Sequence, residues 1–175
     1  MEIIRESNRS RSLPPWLKRK IPNLSECSRI ETVIKSRGLH TICREGLCPN
    51  RAECYARDKV TFMILGSVCT RDCAFCSVRS GRPGLPDREE PEMIAEAVSE
   101  LGLDHVVVTS VTRDDLEDGG SGIFAEVVRR LRNMPDPPVI EVLVPDFRGS
   151  REDIIRVVDS GPDIFSHNIE VVRTL

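Results

Sequence analysis

The sequence predicts an α/β protein that forms part of a TIM-like (β/α) barrel, with about four β/α units present. Four short apolar runs rich in β-forming residues follow residue 59, namely VTFMILG, HVVVTSV, VIEVLVP and DIFSHN. Segments with helical periodicity separate them. Because these strands are too apolar to have one wet face, they favour a parallel sheet that helices cover on at least one side.

The helical segments have recognisable ends. The first is predicted at residues 28–37, where apolar residues recur at helical spacing and Gly38 follows as a stop. Three more are predicted after Pro91, after Ser121 and after Ser150. The last begins with a capping-box-like Ser150-x-x-Asp153 and stops at Gly161-Pro162.

The chain divides into two parts at this level. Residues 1–58 are predicted to be an N-terminal extension with a cysteine-rich motif, and residues 59–175 the first part of the barrel. Four units are half of a full barrel, so we expect a truncated barrel at Leu175. The first 26 residues are polar, basic and proline-broken, which indicates an extended arm with Trp16 and Leu17 as a possible anchor.

Composition argues against several classes of partner. The net charge of -3 and the 4% aromatic content give no basic field and few stacking platforms for nucleic acid. There is no apolar run of about 20 residues and no secretory signal, so we expect a cytoplasmic protein with no membrane partner. Seven cysteines are many for such a chain and indicate metal binding more than disulfides.

Cys69, Cys73 and Cys76 form a C-x3-C-x2-C triplet directly after the first predicted strand. A 4Fe-4S cluster normally takes four cysteine ligands, so three from one loop leave one iron open to bind and activate a ligand. In a β/α barrel, catalytic loops follow the carboxyl ends of strands. The alternative is zinc, which thiolates also bind, although structural zinc favours paired C-x2-C ligands.

A second triplet, Cys43-x4-Cys48-x5-Cys54, lies upstream. It predicts a second metal centre, for which zinc or a purely structural cluster stays open as the alternative. Cys27 stands alone and is interpreted as an incidental residue and not as a ligand.

The C-x3-C-x2-C spacing, with aromatic Phe75 before the last cysteine, resembles the radical S-adenosylmethionine superfamily. The two triplets together resemble lipoyl synthases, as do the stretches CPNRAEC, TFMILGSVCTRDCAFCSV, TSVTRDDLEDGGSGIFAEVV and HNIEVV. This likeness runs from about Pro22 to Leu175. It implies two 4Fe-4S clusters and S-adenosylmethionine as cofactors.

The resemblance also implies an activity. In that family the cluster on Cys69, Cys73 and Cys76 cleaves S-adenosylmethionine to a radical, and the cluster on Cys43, Cys48 and Cys54 supplies sulfur. Two sulfur atoms are inserted into an octanoyl chain carried by a lipoyl carrier protein domain, such as glycine cleavage H protein or a 2-oxoacid dehydrogenase E2. An electron donor such as ferredoxin or flavodoxin is implied, and so is a serine near the C-terminus as fourth auxiliary ligand.

Further candidate residues for cofactor binding are Phe75, Gly119, Gly120, Glu141 and Asn168. The two glycines follow an acidic run and precede a helix, where backbone amides can meet a ligand; a solvated turn is the alternative. Glu141 is a carboxylate in an apolar strand, and Asn168 follows the fourth strand, where barrel active sites lie. His40 and His105 are interpreted as structural or surface residues.

Two other functions stay open on the sequence. One is a different radical S-adenosylmethionine enzyme that inserts sulfur or modifies a ligand. The other is a catalytically inactive fragment that only binds clusters or a partner.

Overall fold

A computed structural model of the chain describes Pro14 and residues 24–170. The predicted arm with Trp16 and Leu17, the side chain of Cys27 and the last five residues lie outside this description. We number the secondary-structure elements in chain order.

The helices are α1 (Leu24–Ser36), α2 (Ile42–Glu45), α3 (Arg51–Tyr55), α4 (Glu90–Leu101), α5 (Ser121–Arg132) and α6 (Arg151–Asp159). The strands are β1 (Thr61–Ile64), β2 (Val68–Cys69), β3 (Arg79–Ser80), β4 (His105–Ser110), β5 (Val139–Leu143) and β6 (Ile164–Ser166). A 3-10 turn at Phe147–Gly149 precedes α6.

The four predicted strands form one parallel sheet in the order β1-β4-β5-β6. Neighbouring strands in this order are joined by α4, α5 and α6, which is the repeating unit of a (β/α) barrel. The barrel is not closed in the part of the chain that the structure describes. The predicted α/β class is confirmed.

The two faces of this sheet differ. Phe62, Val108 and Val142 lie side by side on one face and are fully buried in a core shared with α4 and α5. The opposite face carries Val107 and Glu141, which are only half-buried. Because β strands alternate their side chains, this second face is the one that lines the inside of the barrel.

The N-terminal part of the chain packs into the same core. Ile30, Val33 and Ile34 of α1 are buried with the sheet residues in one apolar cluster, and Tyr55 of α3 joins them. An isolated antiparallel bridge from Thr41 to Phe62 adds to the free edge of β1. The division of the chain after residue 58 stays a prediction, and the described residues on its two sides share this core.

Three features differ from the sequence expectations. The first helix begins at Leu24, four residues before the predicted start. Helices α2 and α3 and the two-stranded parallel sheet of β2 and β3 were not predicted. The four elements that were not predicted have five residues or fewer each, which is too short to show a period in apolar residues.

The predicted cap of α6 is confirmed, because the Ser150 side chain accepts a hydrogen bond from the Asp153 backbone N–H. Among the described residues, no helix is long and apolar enough to cross a membrane.

Candidate functional site

The C-x3-C-x2-C loop begins at the carboxyl end of β1, where a sharp turn redirects the chain. Leu65 and Gly66 both have positive φ angles, of 69° and 90°. The buried carboxylate of Glu90 accepts a 2.8 Å hydrogen bond from the Leu65 backbone N–H and so holds this turn. Burial raises the pKa of Glu90 to about 7. The turn delivers Cys69 to the end of the barrel at which active sites form.

Cys69 is fixed by hydrogen bonds to its own sulfur. Its Sγ accepts from the backbone N–H of Arg71 at 3.4 Å and from that of Thr112 at 3.3 Å. Thr112 belongs to the loop after β4, so two neighbouring β/α loops meet at this sulfur. Hydrogen bonds of this kind stabilise thiolate charge and tune the potential of an iron–sulfur cluster.

Cys73 and Cys76 lie on the exposed part of the same loop. The Cys76 backbone N–H donates to the Cys73 carbonyl at 2.9 Å, which closes a tight turn between the two thiols. Phe75 between them is 69% exposed. The loop therefore presents two thiols to a ligand without rearrangement of the core.

Arg71 lies inside the cysteine loop and binds two carboxylates at once. Its guanidinium forms two 2.8 Å hydrogen bonds with Asp114 and two more with Asp146. Asp114 follows β4 and Asp146 follows β5. These bonds lower the pKa of Asp146 to about 2 and the pKa of Asp114 below its ordinary value.

Thr70 adds a second link between the same loops. Its Oγ1 donates to the Thr112 carbonyl at 3.0 Å and accepts from the Asp114 backbone N–H at 3.1 Å. Its backbone N–H also donates to Thr112 O. The cysteine loop is therefore held against the loops of two further strands by charged and neutral bonds together.

The donor set and its surroundings fit a 4Fe-4S cluster. Three free thiols lie on one short loop, and one of them already accepts two N–H bonds at its sulfur. Among the described residues, no three His, Cys, Asp or Glu side chains converge tightly enough to hold a single metal ion. A cubane does not require such convergence, because each thiolate bonds a different iron.

The second triplet is built on α2 and α3. Thr41 caps α2 and exchanges a buried 2.9 Å hydrogen bond with the Tyr55 hydroxyl at the end of α3. This bond draws together the segments that carry Cys43, Cys48 and Cys54. Burial raises the pKa of the Cys43 thiol, and the nearby Cys48 and Cys54 thiols raise it further. A bound metal would offset that cost by stabilising the thiolate.

The two triplets lie at opposite ends of one strand. Thr41 pairs antiparallel with Phe62, so the chain that follows it runs toward the start of β1, where Cys43 meets the Thr61 backbone. Cys69 follows the other end of β1. With four residues, β1 spans about 13 Å.

Glu141 lies on the inner face of the sheet between these ends. Its carboxylate accepts a 3.3 Å hydrogen bond from Ser166 Oγ and lies 3.4 Å from His105 Nε2. The interpretation of His105 as a structural or surface residue stays a prediction, and His40, interpreted in the same way, lies 3.4 Å from Glu45.

Gly119 and Gly120 are buried, and side chains cover both. A Cβ on Gly120 would lie 2.2 Å from Leu65 Cδ1, and one on Gly119 3.2 Å from Phe147 Cδ1. Asp118 accepts from the Gly120 and Gly122 backbone N–H groups and occupies the start of α5. This placement favours close packing of loop and turn, and a cofactor contact for the glycines stays a prediction.

Asn168 is exposed in the segment after β6. The neighbouring His167 ring contacts the Val144 carbonyl at 2.8 Å through Nδ1, which fixes the start of this segment. Asn168 is thus at the same end of the sheet as Cys69, as its position in the sequence predicted.

The comparisons with known proteins agree with this geometry. The family described as "Radical SAM superfamily" matches residues 63–174. The chain therefore belongs to the radical SAM superfamily, whose cofactors are a 4Fe-4S cluster and S-adenosylmethionine.

Within that superfamily the chain is similar to lipoyl synthases. It is 49% identical to lipoyl synthase from Pyrobaculum arsenaticum, over 94% of this chain and 56% of that protein. It is 51% identical to lipoyl synthase 2 from Gloeobacter violaceus, over 95% of this chain and 57% of that protein. It is 52% identical to lipoyl synthase from Caldanaerobacter subterraneus, over 93% of this chain and 56% of that protein. The chain spans about half the length of the curated relatives it matches.

Sequence reasoning missed Arg71, Asp146 and Thr112 as parts of the site. Arg71 stood within the recognised motif, but its carboxylate partners are 43 and 75 residues away. No short-range pattern indicates such pairs.

Proposed function

We propose that this chain is the cluster-bearing part of a lipoyl synthase that inserts two sulfur atoms into the octanoyl chain of a lipoyl carrier protein domain. One observation carries the proposal: two separate cysteine triplets attach to opposite ends of the same strand, β1. Identity of about half to three proteins named lipoyl synthase supports it.

The open face of the sheet connects the two triplets. Its partly exposed side chains include Val107, Glu141 and Leu143, whereas Met63 and Thr109, which are in register with Leu143, are buried. This surface is mixed, with apolar side chains that suit an alkyl chain and polar ones that suit a nucleoside or an amino acid. A substrate chain that lies on the exposed part of this face, parallel to the buried β1, would run from one triplet toward the other.

The candidate site residues have different roles in the proposed reaction. Cys69, Cys73 and Cys76 hold the first cluster, and Cys43, Cys48 and Cys54 the second. The bound cluster of the first site would supply the electron that cleaves S-adenosylmethionine to a 5'-deoxyadenosyl radical. Glu141 is a candidate contact for S-adenosylmethionine, because it is the carboxylate on the open face of the sheet.

The remaining site residues are proposed with smaller parts. Phe75 shields the exposed side of the loop, and Asn168 borders the same end of the sheet. Gly119 and Gly120 act through the close packing that sets the Leu65 turn, with their amides as candidate ligand contacts.

The proposed partners follow from this chemistry. They are an octanoylated lipoyl carrier domain, such as H protein or a 2-oxoacid dehydrogenase E2, and a low-potential donor such as ferredoxin or flavodoxin. Six free cysteines among the described residues suit a reducing compartment, and we propose the cytoplasm.

The proposal is tested by incubating the reconstituted chain with S-adenosylmethionine, a reductant and an octanoylated carrier domain. We expect 5'-deoxyadenosine together with a carrier that has gained two sulfur atoms. The matched control is Cys43→Ala, which is expected to form 5'-deoxyadenosine but no sulfur-containing carrier. Sulfur insertion by this variant would contradict the proposed role of the second triplet, and absence of 5'-deoxyadenosine from the unaltered chain would contradict the whole proposal.

A further inference from the structure

The segment between the cysteine loop and α4 carries a cluster of exposed arginines. Arg79, Arg82 and Arg88 lie within ten residues that contain a single acidic residue, Asp87. All three arginines are exposed. This local excess of positive charge stands out in a chain whose net charge is -3.

These arginines differ from most of the other arginines that the structure describes. None of the three forms an ion pair or a side-chain hydrogen bond with any described residue. By contrast, many of the described arginines pair with carboxylates, as Arg37 after α1 does with Glu100 and Arg129 on α5 does with Glu126. Three unpaired positive charges in one loop repel one another. Binding of an acidic surface would relieve this repulsion and is therefore electrostatically favourable.

The backbone of this loop is nevertheless fixed in place. The Gly81 N–H donates to the Cys69 carbonyl at 2.9 Å, and Ser80 Oγ donates to Asp72 at 3.1 Å. Farther along, the Gly84 carbonyl accepts a 2.8 Å hydrogen bond from Arg113, whose side chain is only 2% exposed. The basic side chains therefore project from a preorganised frame, which lowers the entropic cost of binding.

Apolar side chains accompany the charges. Leu85 is 97% exposed, and Phe75 on the adjoining cysteine loop is 69% exposed. An exposed apolar centre with a charged rim is the usual composition of a protein-docking surface.

We propose that Arg79, Arg82, Leu85 and Arg88 form the docking surface for a small, acidic, one-electron carrier protein. The inference rests on the proposed function, which requires reduction of the cluster held by Cys69, Cys73 and Cys76. In this step the carrier loses one electron, the cluster gains it, and no bond is made or broken. Because β3 pairs directly with β2, which contains Cys69, a carrier on this surface contacts the cluster loop itself. Electron transfer slows steeply with distance, so this is the favourable place to dock.

The experiment measures the rate at which reduced flavodoxin reduces the clusters of the anaerobically reconstituted chain. The decrease in cluster absorbance reports this reduction. The Arg82→Gln/Arg88→Gln variant is expected to be reduced about tenfold more slowly at low salt, with a weaker dependence on ionic strength. Binding of oxidised flavodoxin, measured by titration calorimetry, is expected to weaken in parallel. Leu85→Ser is expected to weaken binding at all salt concentrations.

Two controls make the result specific. Arg129→Gln/Arg130→Gln removes the same charge from the end of α5, at the opposite end of the sheet, and is expected to leave the flavodoxin rate within twofold. Methyl viologen radical, a small cation, is expected to reduce every variant at the rate of the unaltered chain.

Flavodoxin rates that agree within twofold between the unaltered chain and the Arg82/Arg88 variant would overturn the docking surface. An equal loss in the Arg129/Arg130 control would also overturn it. If the double variant loses its clusters, the flavodoxin rates of the single variants Arg82→Gln, Arg88→Gln and Leu85→Ser provide the test instead. Failure of the viologen-reduced chain to cleave S-adenosylmethionine would instead refute the proposed function and leave the docking result intact.

Discussion

Arg71 and Asp114 form a bidentate ion pair, with two hydrogen bonds of 2.8 Å, between the cysteine loop and the loop after β4. Asp146 binds the other edge of the same guanidinium from the loop after β5. Three consecutive loops of the sheet thus converge on one side chain. This arrangement fixes the residue that stands between two predicted cluster ligands, Cys69 and Cys73.

Replacement of Arg71 is expected to loosen the cluster held by this loop. Arg71→Gln cannot form the charged bonds, and we expect iron to be released to a chelator about tenfold faster. Arg71→Lys keeps the charge but cannot bind two carboxylates in bidentate fashion, so an intermediate rate is expected. Arg129→Gln serves as the control. Equal release rates for Arg71→Gln and the unaltered chain would contradict a positioning role.

Gly120→Ala is expected to destabilise the chain. The new Cβ would lie 2.2 Å from Leu65 Cδ1, and Gly120 has a φ angle of +91°, which an L residue adopts only with strain. The expected loss is about 1–3 kcal/mol in the free energy of unfolding, measured with denaturant. Gly84→Ala is the matched control, since a Cβ there meets no atom within 4 Å. An equal loss in both variants would contradict the packing argument.

Glu90 is expected to give the chain a distinct dependence of stability on pH. Burial raises the pKa of Glu90 from 4.5 to about 7, so between these values the folded chain holds a proton that the unfolded chain has released. The contribution of Glu90 to the free energy of unfolding is therefore fully present below about pH 4.5 and is lost as the pH rises through 7. The shift corresponds to about 3 kcal/mol as an order of magnitude.

The measurement compares the free energy of unfolding of the unaltered chain with that of Glu90→Gln at pH 5 and at pH 8. The variant can still accept the Leu65 N–H bond through its amide oxygen but cannot ionise. All other groups are shared, so the difference between the two pH slopes isolates Glu90. Identical slopes would show that Glu90 titrates at the same pH in the folded and unfolded chain.

Tyr55→Phe is expected to weaken the second cysteine site. The lost hydroxyl leaves the fully buried Thr41 without its 2.9 Å hydrogen bond, at a cost of about 1–2 kcal/mol. We expect lower stability and a reduced iron content, lost from the second triplet alone. Thr41→Ser keeps the hydroxyl and is the control. Normal iron content in Tyr55→Phe would show that this bond does not organise the triplet.

The sheet and its long helices could be predicted from the sequence because their signals are local. The apolar runs around Phe62, Val108 and Val142 mark buried parallel strands, and the spacing within α5 marks one buried helical face. Ser150 and Asp153 are close in sequence, so their cap was also recognisable. Both cysteine triplets were recognisable for the same reason.

What the sequence could not predict depends on contacts between distant segments. The pairing of Arg71 with Asp146, the burial of Gly120 under Leu65 and the bond from Arg113 to Gly84 all join loops whose approach the sheet determines. The acidic run near Asp114 was noticed, but its partner was not. Short elements such as α2 and β3 are stabilised by their surroundings and not by a pattern of their own.

We propose that the chain holds two iron–sulfur clusters, one of which binds S-adenosylmethionine. The first measurement is the iron and sulfide content of the anaerobically reconstituted chain, with electron paramagnetic resonance of the reduced sample before and after S-adenosylmethionine is added. We expect about eight irons per chain, about four in Cys69→Ala and in Cys43→Ala, and a spectrum that S-adenosylmethionine changes only when Cys69 is present. About four irons in the unaltered chain with no response to S-adenosylmethionine, or zinc in their place, would contradict it.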